Sequence, residues 1–259
     1  MLIDTHLHLD ASEFDATRAE VLADARAAGV RAMVLLGVLP ANFDAITRLA
    51  DENSDCHLAY GIHPLYVRGL GDAAVADVEA RLKQGRAVAV GEIGLDHYVE
   101  DADQEHQQRM YAAQLKLARD HGLPVLLHVR RAQDAVLKEL RRIKVCGGIA
   151  HAFNGSRQQA DAFIKLGFKL GFGGAMTYSG SRRIRELAAT LPLESIVLET
   201  DGPDIPPGWR PEGPSLPSEL PRYAEVLAEL RGEPVERIVE MTGKNALAAI
   251  PGLARYFAA

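Results

Sequence analysis

The chain is expected to fold as an α/β protein: one (β/α)8 barrel over residues 1–259, with extra helices at its C-terminal end. Three observations predict this. Short aliphatic or β-branched runs alternate with longer amphipathic segments along the whole length, the pattern of βα units around a parallel sheet. Eight strand candidates fit into 259 residues, the size of a closed barrel. The first strand candidate runs into "DTHLHLD" (4–10), where an open dinucleotide-binding sheet carries a Gly-x-Gly-x-x-Gly turn.

The strand candidates are 2–6, 32–38, 57–63, 87–94, 124–129, 147–151, 168–174 and 195–200. Several are nearly continuous apolar runs, as strands buried on both faces should be. The helix at 15–29 carries Ala19, Leu22, Ala23 and Arg26 at helical spacing and stops at Gly29. The helix at 41–53 follows Pro40, and another covers 72–84. The segment 101–122 opens on acids, sets Met110, Ala113 and Leu117 on one face, and ends at Gly122. Helices at 132–142, 156–166 and 182–190 alternate with the later strands. A proline-rich loop over 201–221 follows the eighth strand candidate, and two terminal helices lie near 223–231 and 235–249.

Composition narrows the function. No apolar run approaches the roughly 20 residues of a membrane helix, and no basic, then apolar, leader is visible. Cys56 and Cys146 are the only cysteines, which makes no disulfide framework and fits a reducing, cytoplasmic setting. The net charge of −6 excludes a protein that coats nucleic acid by overall charge. Nucleic acid would have to be met through a local pocket. The oligomeric state is left open, with a monomer as the expectation.

In such a barrel the active site lies at the C-terminal strand ends. His6 and His8 close the first strand candidate, and residues two apart in a strand point the same way. His63 ends the third, Glu92 the fourth, His128 the fifth, His151 the sixth, and Asp201 the eighth. Taken singly, each has a bland reading. His128 or His151 can be a core histidine with a backbone partner, Asp201 a helix cap, Glu92 a solvated rim residue. Matched positions on strand after strand favour a metal centre instead. Imidazole suits zinc, manganese, iron or nickel, and carboxylate suits magnesium or manganese. Four histidines (6, 8, 128, 151) and two acids exceed the needs of one tetrahedral ion. They fit two divalent ions, drawn from Zn, Mn, Mg or Ni, with one carboxylate bridging. Two such ions about 3.5–4 Å apart hold an attacking water and steady a leaving oxygen.

The ordered set "DTHLHLD" (4–10), "GIHP" (61–64), "GEIGLD" (91–96), "LLHVR" (126–130), "HAFNGS" (151–156), "GFGGAMTY" (171–178) and "LETDGPD" (198–204) resembles the TatD family of metal-dependent hydrolases, within the amidohydrolase-like barrels. The resemblance runs over essentially the whole chain. It implies a TIM-like barrel and a divalent-metal-dependent deoxyribonuclease, often one that removes nucleotides from the 3′ end. It implies that His6 and His8 bind one metal, that Glu92 bridges to a second, and that His128 and His151 complete the second. It makes Asp201 a ligand of the first metal and the general base toward water. His63 is placed behind the ligands or against substrate phosphate. The chain departs from the family at Ala152 and Asn154, where relatives often carry Cys and Ser, and at Gly202, where alanine is commoner. Its proline-rich loop with "WRPEGPSLP" stands where many relatives carry a basic segment. Substrate choice is what these departures touch.

Phosphate needs cations. Arg130 and Arg131 follow His128, so Arg130 is expected to grip phosphate at the mouth, while Arg131 opens the next helix or reaches the mouth. "RRIR" (182–185) is either a phosphate track or a solvated helix face, and Trp209 either stacks on a base or packs its own loop. The reading is a hydrolase acting on DNA ends through metal-activated water. Two alternatives stand beside it. One is hydrolysis of a lactone, an amide or a D-aminoacyl-tRNA ester on the same site. The other is a metal-binding interaction protein without turnover.

Overall fold

The computed structural model describes residues 1–257; residues 258–259 of the expected domain lie outside the described residues. Eight strands form one parallel sheet in chain order: β1 (Leu2–Leu7), β2 (Val30–Leu36), β3 (Cys56–Tyr60), β4 (Ala89–Asp96), β5 (Val125–Arg130), β6 (Gly148–Ala150), β7 (Phe168–Phe172) and β8 (Ile196–Leu198). Helices alternate with them: α1 (Arg18–Ala27), α2 (Phe43–Glu52), α3 (Asp72–Leu82), α4 (Gln104–His121), α5 (Gln133–Arg142), α6 (Arg157–Lys165), α7 (Arg182–Thr190) and α8 (Leu220–Arg231). A ninth helix, α9 (Val235–Ala249), follows. The expected (β/α)8 barrel is what the strands build.

Alternation along each strand sorts the core into two layers. On β2, Met33 and Leu35 join the large cluster shared with the helices. Ala32, Val34 and Leu36 join a smaller one with Ile3, Ala59, Val88, Leu126, Ile149 and Val197, which fills the lumen. Ala246, Ala249, Ile250 and Leu253 complete that inner cluster. The helix α9 therefore crosses the floor of the barrel. Asn245 fixes it there, donating to Leu193 O and Ile196 O at 2.7 Å each. His57 reaches the same floor and its ring meets Tyr256 at 4.2 Å.

The expected extra helices at the C-terminal end are present: α8 completes the outer ring, and α9 and a 3-10 helix over Pro251–Tyr256 follow it. Two sets of boundaries need correction. The helix α8 begins at Leu220 rather than near Tyr223, because Pro221 is tolerated in a first turn, where its missing N–H is not needed. The third and eighth strands also stop early. The chain turns away after Tyr60 and Leu198, so His63 and Asp201 stand past the strands rather than in them.

Candidate metal centre

The barrel closes between β1 and the segment just after β8. Asp201 N donates to His6 O at 2.9 Å, and His8 N donates to Gly202 O at 2.8 Å. Three of the residues expected to bind metal, His6, His8 and Asp201, thus stitch the first strand to the last. Asp4 locks the seam from below: its Oδ1 accepts from Thr200 N at 3.0 Å and its Oδ2 from the Thr200 hydroxyl. Arg18 pins the loop after β1, donating to Leu9 O at 2.8 Å and Ala11 O at 3.2 Å.

Glu92 lies at the middle of the cluster and is buried. Its two oxygens face different histidines. Oε2 is 3.1 Å from His6 Nε2 and 3.3 Å from His8 Nε2. Oε1 is 2.9 Å from His128 Nδ1 and 2.9 Å from His151 Nε2. Asp201 Oδ1 stands on the first side, 3.5 Å from His6 Nε2 and 3.7 Å from His8 Nε2. All six residues named from the sequence as ligands are brought together.

His63 and Arg130 land differently. His63 joins the cluster itself, its Nε2 3.0 Å from His128 Nδ1 and 3.5 Å from Glu92 Oε1. It follows β3 as the cap of a short 3-10 turn over Pro64–Tyr66. Arg130 is not in the cluster. It sits on the rim with its guanidinium carbon 3.8 Å from the Tyr98 ring centroid, and Arg131 stands 4.6 Å from the same ring. Trp209 packs its own loop, its Nε1 donating to Glu219 Oε2 at 3.0 Å. In "RRIR", Arg183 donates to Asn154 Oδ1 at 2.7 Å and Arg185 to Met176 O at 2.9 Å, so both brace neighbouring loops.

Four residues near the centre were not singled out from the sequence. Asp96 Oδ2 meets His128 Nε2 at 3.0 Å and so orients a cluster imidazole. Its signal was available: it lies four positions after Glu92 on the same strand face. Glu199 is buried behind His151, with its Oε1 accepting from Ala152 N at 2.5 Å and lying 3.8 Å from His151 Nδ1. Only Gly171 leaves room for it, since a Cβ at that position would overlap the Glu199 carboxylate. Two buried glutamines of α4 hold strand ends in place. Ile62 N donates to Gln114 Oε1 at 2.7 Å, and Asp96 N to Gln107 Oε1 at 3.0 Å. They recur seven apart on the buried face of the helix, a polar pair in an apolar stripe.

Backbone conformation marks the same rim. Among the described residues, the non-glycine residues with positive φ are Arg131, Ala152, Asp201 and Ile205, at 53°, 44°, 55° and 50°. Each follows a strand on the side of the cluster. Side-chain-bearing residues enter this region at a cost of order 1–3 kcal/mol, and such strain gathers where geometry serves a site.

Charge is equally concentrated. Burial alone would raise the Glu92 carboxyl, but the imidazoles around it hold it well below the usual carboxylate range. Burial lowers His8 and His151, yet Glu92 and Asp201 outweigh it and push them up to about 9 and about 10. Burial together with neighbouring histidines drives His6 well down and His63 down to about 3. Burial pushes Asp201 up to about 6 and Glu199 up to about 8. One carboxylate cannot supply every imidazole around it. The donor set fits divalent cations: imidazole nitrogens and carboxylate oxygens converge, with the buried Nδ1 atoms of His6, His8 and His151 and the Glu199 Oε2 lacking hydrogen-bond partners among the described residues. His6, His8 and Glu92 offer ligand atoms within 4.8 Å of one another, and so do His63, Glu92 and His128.

A parallel barrel with a histidine and carboxylate cluster at its C-terminal mouth defines a metal-dependent hydrolase. The chain belongs to the TatD-related DNase family, whose model matches residues 3–250. It is 38% identical to an uncharacterized metal-dependent hydrolase, YjjV, of Escherichia coli strain K12, over 94% of this chain and 95% of that protein. The crystal structure of YjjV, described as a TatD homolog, superposes with a TM-score of 0.93, covering 96% of this chain and 98% of that one. A 3′-5′ ssDNA/RNA exonuclease TatD of Klebsiella pneumoniae strain 342 is 32% identical, over 94% of this chain and 95% of that protein. Among the described residues no helix is long and apolar enough to cross a membrane.

Proposed function

We propose that this hydrolase cleaves phosphodiester bonds at nucleic-acid ends, in the manner of a 3′-5′ exonuclease using two divalent ions. One observation carries the two-ion reading: the Glu92 carboxylate is split, with Oε2 toward His6 and His8 and Oε1 toward His128 and His151. A carboxylate so placed would serve two ions at once, and two ions suit an in-line displacement at phosphorus. The name of the Klebsiella relative supports nucleic acid as substrate.

In this reading His6, His8, Glu92 and Asp201 hold one ion, and Glu92, His128 and His151 hold the other. Bound there, divalent ions acidify water and neutralise charge on the phosphate. The residues do the rest. Asp201 stands on the His6/His8 side, with Oδ1 toward the two imidazoles, where its carboxylate would orient water and accept its proton. Asp96 fixes the His128 ring through Nε2 and so leaves Nδ1 turned to Glu92. His63, packed on His128, presents a neutral ring beside the centre. Glu199 backs the His151 ring from below.

The test is digestion of a 5′-labelled single-stranded oligonucleotide by protein stripped of metal and reloaded with Mg²⁺, Mn²⁺, Zn²⁺ or Ni²⁺. Shortening in single-nucleotide steps that needs metal and falls at least a hundredfold in Asp201→Asn is expected. No shortening with any ion, in protein shown to hold metal, would discard the nuclease reading and move the search to lactones, amides and aminoacyl esters.

A further inference from the structure

The rim beside the centre carries an aromatic patch that the fold itself does not need. Of the six exposed large apolar side chains among the described residues, four (Leu65, Tyr66, Tyr98 and Val99) lie in the two loops that follow β3 and β4. Apolar side chains gathered in water at one place mark a contact surface. We infer that Tyr66 and Tyr98, with Arg130 and Arg131, form a stacking ledge that receives the bases and phosphates of a single-stranded nucleic-acid end. This deepens, and rests on, the nuclease reading of the adjoining centre.

Both tyrosines are tied to the cluster by short paths. Tyr66 is 51% exposed, and its ring centroid lies 5.6 Å from that of His63. Tyr98 is 46% exposed, and its backbone N donates to Asp96 Oδ1 at 2.8 Å. The other oxygen of that carboxylate holds His128. One carboxylate therefore fixes a cluster imidazole and the base of the ledge together. The two loops are also fastened to each other, Arg68 donating to Asp101 O at 2.8 Å, and the first is tied to α4, His106 Nε2 donating to Val67 O at 3.0 Å. The ledge is held in place before any ligand arrives.

The chemistry selects the occupant. Exposed aromatic rings stack on unpaired bases of any sequence, and a duplex has no free base faces to offer. Arg130 and Arg131 approach the Tyr98 ring at 3.8 and 4.6 Å. Stacked guanidinium groups keep their N–H edges for phosphate oxygens. In a chain of net charge −6, this local pair is what attracts a polyanion. Glu100 and Asp101 follow Tyr98 in the same loop and Glu105 opens α4, so the positive charge at this rim comes from the arginines.

The test measures binding of 5′-fluorescein dT8 and rU8 with phosphorothioate linkages, and of the matching DNA duplex, to the metal-loaded full chain by fluorescence anisotropy. Tyr98→Ala and Tyr66→Ala are each expected to weaken dT8 binding about tenfold, the scale of one lost base stack. Tyr98→Phe restores it, because the ring and not the hydroxyl stacks. Arg130→Gln lowers the salt dependence of log Kd by about 0.7, one phosphate contact on a single strand. Equal binding of dT8 and rU8 is expected, with the duplex weaker than both. Unchanged dT8 affinity in both alanine variants, at normal metal content, overturns the ledge. An enzyme that shortens DNA as well without Tyr98 and Tyr66 also sinks the ledge but keeps the nuclease reading. Tyrosine-dependent binding without any shortening keeps the ledge and sinks the cleavage reading.

Discussion

Glu92→Gln is the sharpest test of the split carboxylate, since glutamine keeps the shape and removes the charge. In the structure each carboxylate oxygen serves one histidine pair at 2.9–3.3 Å. Two unit charges about 4 Å apart interact by about 4 kcal/mol at an effective dielectric of about 20. The amide oxygen and local relaxation recover roughly half of that. The realised loss is then about 2 kcal/mol per ion, or about thirtyfold in affinity on each side. The assay is titration of metal-free protein with Zn²⁺ or Mn²⁺ against a chromophoric chelator, which resolves two binding steps. Glu92→Gln is expected to weaken both steps together. His8→Ala, on the Oε2 side alone, is expected to weaken one step much more than the other. A Glu92→Gln protein that loses only one step, or neither, would refute the bridging role.

Other expectations follow from the fold. Burial, helped by Arg255 and opposed by Asp55, holds His57 down at about 4, below its ordinary 6.5. The unfolded chain thus binds the proton first as pH falls. Stability should drop progressively from about pH 6.5 to about pH 4, by up to about 3 kcal/mol, and urea midpoints of His57→Gln should lack that part of the decline. Asn245→Ala leaves two floor carbonyls without their donor; a loss of about 2–3 kcal/mol should appear as a lower Tm, and an unchanged Tm would remove the anchoring role. Gly171→Ala sets a methyl against the Glu199 carboxylate; overpacking of about 1–3 kcal/mol should come with reduced metal content, and denaturant unfolding with metal analysis reads both.

The barrel and the six clustered residues were legible because both rest on short-range pattern. Buried parallel strands write continuous apolar runs, and whatever ends such a run stands at the mouth. That logic found His6, His8, Glu92, His128, His151 and Asp201 without contact information. It could not rank His63, whose place in the cluster depends on β3 ending at Tyr60 and on Gln114 gripping Ile62 from another layer. Glu199 was hidden for a similar reason: its neighbours Gly171 and Ala152 come from other strands. The stacking of Arg130, the last residue of β5, on Tyr98 in the loop after β4 joins two segments that sequence alone leaves apart. Trp209 was left between two readings, and its partner Glu219 decided for packing of its own loop; in "RRIR", Arg183 and Arg185 brace neighbouring loops, which neither of its two readings named.

The seam between β1 and the segment after β8 has a consequence for the order in which the molecule is made. His6 and His8 leave the ribosome early, Glu92 much later, and Asp201 only when about three quarters of the chain is complete. Thr5 waits 193 residues for its partner carbonyl, and Asp4 waits 196 for Thr200. A nascent chain therefore displays two histidines with none of the carboxylates that would make them selective. On the proposed ligand set, metal captured at that stage would meet only two nitrogens. The ions that remain would then be chosen by the finished molecule, after synthesis, from whatever pool surrounds it.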